Sequence, residues 1–156
     1  MRNLARGAAA ALFSAALVTA CDNPVGDRET HVRPATMAIF DGSTELVRGS
    51  FTGITQALTV GAGVDTRPLT VRFFNSAGTQ INPGVDYHLR VTGGSSGGTV
   101  IAHWIQDSAG DFGGRLRGVA TGSTTLTFGF IHGAPGTGHS EADFVVPVTI
   151  TGGAPE

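Results

Sequence analysis

Apolar and polar residues alternate with a period of two along most of the chain after residue 34. The clearest runs are Leu69–Phe73, Val85–Val91, Leu126–Phe130 and Phe144–Ile150. This alternation is typical of strands that have one buried and one solvated face. Shorter segments predict further strands: Thr36–Phe40, Glu45–Ser50, Gln56–Val60, Thr99–Gln106 and Phe112–Ala120. No segment beyond the first twenty residues keeps a helical period.

Turn signals separate these runs. Asp41-Gly42, Asn82-Pro83-Gly84 and the glycine-rich stretch from Gly93 to Gly98 are examples. The chain contains 24 glycines, about twice the ordinary share of about 7%. Roughly eight or nine antiparallel strands at this spacing predict an all-β domain, a β-sandwich in first place. A small barrel is the alternative.

The first residues have a different pattern, with Arg2 and Arg6 before an apolar stretch from Ala8 to Val18. A membrane-spanning helix needs about 20 apolar residues, so this stretch is too short to span. Basic residues followed by a short apolar region are typical of a secretory signal peptide. We therefore expect residues 1–20 to be a cleaved signal peptide.

The end of this segment, Val18-Thr19-Ala20-Cys21, resembles the lipobox of bacterial lipoproteins. The resemblance implies a diacylglyceryl thioether on Cys21 and acyl chains, such as palmitate, on the new N-terminus. An ordinary secretory signal with a chance cysteine is the alternative. Cys21 is the only cysteine, so lipidation also accounts for a lone thiol in an exported protein. We expect the protein to be anchored at the bacterial cell envelope, on its periplasmic or surface face.

Composition divides the mature chain into a lipid-anchored flexible spacer, residues 21–34, and a domain, residues 35–152. The spacer is polar and aperiodic. Without Arg2 and Arg6 the mature chain keeps 8 basic residues against 12 acidic ones. A weakly acidic protein is a poor partner for nucleic acid. The expected partners are the membrane, through the acyl chains, and an unidentified protein or envelope component.

The run from Gly118 to Phe128 resembles the late strands of bacterial immunoglobulin-like domains, which carry a small-residue turn before an alternating Thr/apolar strand. Companion features are Pro68–Phe74 followed by a turn at residues 75–78, and a final Val-Pro-Val-Thr-Ile strand at residues 146–150. The resemblance covers residues 37–151. It implies an immunoglobulin-like sandwich that serves display, adhesion or structural spacing, with no catalytic residues.

One segment matches a catalytic motif by its letters, because Gly93-Gly94-Ser95-Ser96-Gly97 fits G-x-S-x-G. That motif needs a strained turn from a strand into a helix and a histidine base nearby. A strand is predicted to follow here, so the segment is interpreted as a glycine-serine turn. We expect no enzymatic activity.

The histidines and nearby carboxylates offer one candidate metal-binding group. His132 and His139 flank a glycine-rich loop, so a hairpin places their imidazoles opposite each other. Glu141 and Asp143 follow at alternate positions on the last strand. Two imidazoles with one or two carboxylates are ligands suited to a divalent metal such as zinc. His31 falls in the predicted spacer.

A cupredoxin-type copper site is not expected, because its cysteine ligand is missing from the domain. On the strand around Trp104 either face fits the alternation, and core packing of the indole is favoured. The leading functional prediction is a non-enzymatic, lipid-anchored interaction or structural module without a cofactor. The alternative is an envelope metal-binding lipoprotein that uses His132, His139 and a nearby carboxylate.

Overall fold

The computed structural model describes residues 31–152, and within this range the chain forms eleven strands and no helix. The strands are β1 (Thr36–Asp41), β2 (Thr44–Ser50), β3 (Leu58–Gly61), β4 (Leu69–Phe74), β5 (Tyr87–Gly93), β6 (Ser95–Ser96), β7 (Thr99–Val100), β8 (Ala102–Gln106), β9 (Gly113–Gly118), β10 (Gly122–His132) and β11 (His139–Thr151). The prediction of an all-β fold is confirmed.

Two sheets contain nine of these strands. The five-stranded sheet has the order β2-β1-β4-β9-β8 and is antiparallel throughout. The four-stranded sheet has the order β3-β11-β10-β5. β6 and β7 form a separate two-stranded ribbon.

Side chains from both sheets meet in one hydrophobic core. Phe73 of β4 lies with its ring centroid 4.8 Å from that of Phe130 on β10 and 5.6 Å from that of Phe144 on β11. All three side chains are buried. Burying one such side chain contributes about 1.5–3 kcal/mol. Because no disulfide is available in residues 31–152, which lack cysteine, this packing and the strand ladders hold the sheets together.

Strand pairing differs from the prediction in one respect, because β3 runs parallel to β11. The four-stranded sheet is therefore mixed, and the expectation of purely antiparallel strands is wrong at this edge. The chain passes from β2 in one sheet to β3 in the other. No hairpin therefore joins β3 to the strand beside it, and only strands joined by a hairpin have to be antiparallel.

Some strand boundaries also differ from those that the alternation predicts. Val85 is fully exposed in the turn before β5, although it continues the alternating run. The predicted strand Thr99–Gln106 is interrupted at Ile101, whose N–H donates to the Gly94 carbonyl. Hydrophobic alternation thus identified the strands but missed a turn and a break that depend on longer-range pairing.

Trp104 on β8 faces the core side of its sheet. Its ring makes an edge-to-face contact with Phe128, with centroids 5.1 Å apart, and both of its strand neighbours, His103 and Ile105, are exposed. The favoured interpretation of this tryptophan as a core residue is confirmed. The indole also covers Gly114 of β9.

The outward face of the five-stranded sheet carries a small apolar cluster of Ala38, Phe40 and Phe74. Two arginines from neighbouring strands cover it. The Arg48 guanidinium lies 4.1 Å from the centroid of Phe74, and that of Arg72 lies 4.3 Å from Phe40. These are cation–π contacts at a partly exposed surface.

The predicted signal peptide, residues 1–20, and Cys21 lie outside the described residues, as does most of the predicted spacer. Within residues 31–152 there is no helix of the length and hydrophobicity needed to cross a membrane.

Candidate metal centre

The hairpin between β10 and β11 brings two histidines together. The strands pair from Gly122 with Ile150 to His132 with His139. The loop between them is held by main-chain bonds, among them one from the Gly138 N–H to the Ala134 carbonyl of 2.9 Å. The expected hairpin, with the two imidazoles at its mouth, is present.

A β-bulge decides which residue faces His132. Phe130 pairs with Ala142, but Ile131 pairs with Ser140, so Glu141 is an extra residue in β11. Continuing the unshifted register would have placed Ser140 opposite His132. The bulge places His139 there instead, and directly opposed residues of an antiparallel pair share one face of the sheet. Bulges commonly re-aim a side chain in this way.

Glu141, the bulge residue, directs its carboxylate at the histidines. Its Oε1 atom lies 2.9 Å from Nε2 of His139 and 2.6 Å from Nδ1 of His31. The Glu141 side chain is only 4% exposed, whereas those of His139 and His31 are 61% and 42% exposed. A nearly buried carboxylate therefore lies beneath two imidazoles that reach the surface.

His31 belongs to the segment that precedes β1. The Val32 N–H donates to the Tyr87 hydroxyl at 3.1 Å, and the Ala35 N–H donates to the Phe74 carbonyl at 2.8 Å. The side chain of Val32 also packs against the core. These contacts lay the segment across the end of the domain and bring His31 over Glu141.

The three imidazole rings form a compact group. The centroid distances are 5.3 Å for His31 to His132, 5.4 Å for His31 to His139, and 5.4 Å for His132 to His139. Tyr87 packs against His132 with centroids 4.8 Å apart. One ligand atom from each histidine and from Glu141 can be chosen so that all four lie within 4.8 Å of one another.

Two opposing effects act on the pKa of Glu141. Burial is the larger single effect and raises it, but hydrogen bonds and charge interactions with His31 and His139 together outweigh burial and lower the pKa below its usual value. The carboxylate is therefore ionised at neutral pH. An ionised oxygen is the form that binds a cation.

Asp143, the fourth residue predicted from the sequence, lies outside this group. Its Oδ1 accepts a hydrogen bond of 2.9 Å from Ser140 and lies 4.0 Å from the Arg90 guanidinium. The bulge explains the separation, because it breaks the alternation that would have kept Glu141 and Asp143 on one face. The structure thus joins three of the four predicted residues and adds His31.

His31 could not be found from local pattern. It lies in a polar stretch and 110 residues before Glu141, so only tertiary contacts bring it to the hairpin. In the sequence, only its being a histidine marks residue 31 as a candidate metal ligand. A solvent-open depression next to the group is lined by His31, Arg33, His139, Ser140 and Glu141.

The G-x-S-x-G segment has the structure of a turn. Gly94 and Gly97 have positive φ angles of 93° and 57°, and the serines between them form β6 of the small ribbon. A strand follows it, as predicted, and residues 31–152 contain no helix that could complete a nucleophile elbow.

Comparison of the chain with protein-family models, curated proteins and solved structures found no match to any of the three.

Proposed function

We propose that this protein binds a divalent metal ion, zinc in first place, through His31, His132, His139 and Glu141. The observation that carries the proposal is the convergence of four metal-binding side chains, whose ligand atoms lie within 4.8 Å of one another. Three imidazoles and one carboxylate are a donor set that suits zinc.

The spacing is close to what zinc requires. A tetrahedral ion with bonds of about 2.0–2.1 Å keeps its ligand atoms about 3.3 Å apart. The four ligand atoms lie within 4.8 Å of one another, so metal binding requires side-chain rotations that shorten the longest separation by about 1.5 Å. Four protein ligands close the coordination sphere, which is the arrangement of structural rather than catalytic zinc sites.

The proposed setting is a lipid-anchored, non-enzymatic domain of immunoglobulin-like type at the bacterial cell envelope. The lipobox-like sequence ending at Cys21 supports the anchor, and two sheets sharing one core support the sandwich. Replacing Cys21 with serine and fractionating cells tests the anchor. We expect loss of the acyl label and release from the membrane fraction; a variant that keeps both contradicts it.

Calorimetry with zinc chloride tests the metal site directly. We expect one zinc ion per chain, and an affinity at least about tenfold lower in His139→Ala and Glu141→Gln, since even residues that merely support a metal ligand contribute 10–100-fold. Two matched controls are available. His103→Ala removes an exposed imidazole on β8, and Asp143→Asn neutralises the carboxylate that lies outside the group.

The controls should bind zinc like the unmodified chain. Absence of zinc binding at millimolar metal, or equal losses in the control and ligand variants, would show that the four side chains form a hydrogen-bonded network without a metal function.

A further inference from the structure

The four ligands come from two separate parts of the fold. His132, His139 and Glu141 belong to the β10–β11 hairpin of the four-stranded sheet, whereas His31 lies five residues before β1 of the five-stranded sheet. A metal ion bound by all four residues therefore joins the two sheets at one end of the domain.

We infer that the metal ion acts as a staple, which fastens the segment His31–Ala35 to the β10–β11 hairpin. This inference rests on the proposed metal site and adds the regulation of that site: metal availability sets how firmly the N-terminal segment is docked. The ligand class is a divalent transition metal ion with borderline softness, zinc before all others.

The contacts of the segment show what a staple would add. His132 and His139 are fixed by strand pairing, and Glu141 is fixed by the ladder on both sides of the bulge. His31 is outside any strand. Its segment is held by the Val32–Tyr87 and Ala35–Phe74 hydrogen bonds, by the packing of Val32 on the core, and by contacts of His31 and Arg33 with Glu141. A bound metal ion would add bonds from His31 to the hairpin.

The composition leaves residues 31–152 without a covalent cross-link. Residues 31–152 contain no cysteine, so no disulfide joins the sheets. A metal ion between His31 and His132 closes a loop of about one hundred residues, and cross-links that close long loops restrict the unfolded chain most. If only the folded state binds the metal, binding also stabilises the folded state by mass action.

Hydrogen exchange on the full-length chain purified in detergent tests the staple. The amides of Val32 and Ala35 are followed without metal and with zinc chloride, in the unmodified chain, in His31→Ala and in His103→Ala. We expect zinc to slow exchange at both amides at least tenfold in the unmodified chain and in His103→Ala. We also expect a rise in Tm of about 10 °C at zinc concentrations a hundredfold above Kd.

In His31→Ala, zinc should bind more weakly and leave exchange at Val32 unchanged. Zinc binding that leaves Val32 and Ala35 unaffected in the unmodified chain overturns the staple while the metal site stands. Zinc binding that is equally tight in His31→Ala overturns the staple and leaves a metal site made by the hairpin residues alone. Absence of zinc binding in the unmodified chain overturns the metal site, and the staple with it.

Discussion

The phenolic oxygen of Tyr87 accepts a hydrogen bond of 3.1 Å from the main-chain N–H of Val32. The same tyrosine ring stacks on Phe130 and packs against His132. Tyr87 therefore links the core, one candidate ligand and the segment that carries another ligand, His31.

Tyr87→Phe should keep the stacked ring and lose only this hydrogen bond. We expect the free energy of unfolding to fall by about 0.5–1.5 kcal/mol, and zinc affinity to fall severalfold because His31 is held less firmly. Urea unfolding and calorimetry measure the two effects. In a His31→Ala background, Tyr87→Phe should have no additional effect on zinc affinity; a full additional loss would show that Tyr87 does not act through His31.

Deleting Ser140 removes the extra residue from β11 while keeping all four candidate ligands. Glu141 then pairs with Ile131 in a regular register, and its carboxylate turns to the opposite face of the sheet from His132. We expect zinc affinity to fall at least tenfold, as for loss of a ligand. Ser140→Ala is the matched control, because it keeps the bulge and removes only the bond to Asp143. Tight zinc binding in the deletion variant would contradict the importance of the bulge.

Gly114 of β9 has no space for a side chain. A Cβ there would lie 2.6 Å from the Ile105 carbonyl oxygen and 2.7 Å from the indole of Trp104. Because a backbone atom cannot easily give way, Gly114→Ala should lower the free energy of unfolding by about 1–3 kcal/mol. Gly53→Ala is the control, since a Cβ at that position meets nothing within 4 Å. Denaturant unfolding of both variants measures the difference, and equal stability would refute the packing argument.

Asp65 gives a pH dependence that is independent of the candidate metal site. Its hydrogen bond with Arg117 outweighs the opposing effect of desolvation, and the Arg117 and Arg115 charges add to it, so its pKa lies below the usual 3.8. The folded state therefore favours the charged carboxylate. Its stabilising contribution is present above the unfolded pKa and is lost as the pH falls through the lower folded pKa.

Thermal unfolding of the Asp65→Asn variant measures this contribution. The variant should melt slightly below the unmodified chain at pH 7, by a small margin because the pair is exposed. The two Tm values should converge as the pH falls below 3.8 and through the lower pKa of the folded state. A Tm difference that stays constant from pH 7 to pH 2.5 would mean that the carboxylate charge is not responsible.

Much of the fold was predictable because burial in a strand is a local, period-two pattern. Leu126, Phe128 and Phe130 alternate in the sequence and are all buried in the structure. Val85 follows the same pattern but lies exposed in a turn, since alternation does not record where pairing with β10 begins. The parallel β3–β11 edge likewise depends on the path of the chain between the sheets.

The candidate site was predictable only in part, for two physical reasons. His132 and His139 are close because a hairpin is a local structure with its turn signals in the sequence. The bulge at Glu141 depends on pairing and leaves no trace in the alternation, so the sequence predicts that Asp143 lies on the same face as Glu141. His31 reaches the site through contacts with residues far along the chain.

The arginine-covered phenylalanines on the outward face of the five-stranded sheet have a consequence for contacts between molecules. Bare aromatic patches promote association with neighbouring molecules. With Arg48 over Phe74 and Arg72 over Phe40, neighbouring molecules encounter hydrated positive charge rather than benzyl rings. The domain can thus carry aromatic residues on this outward face without presenting them as a bare apolar patch.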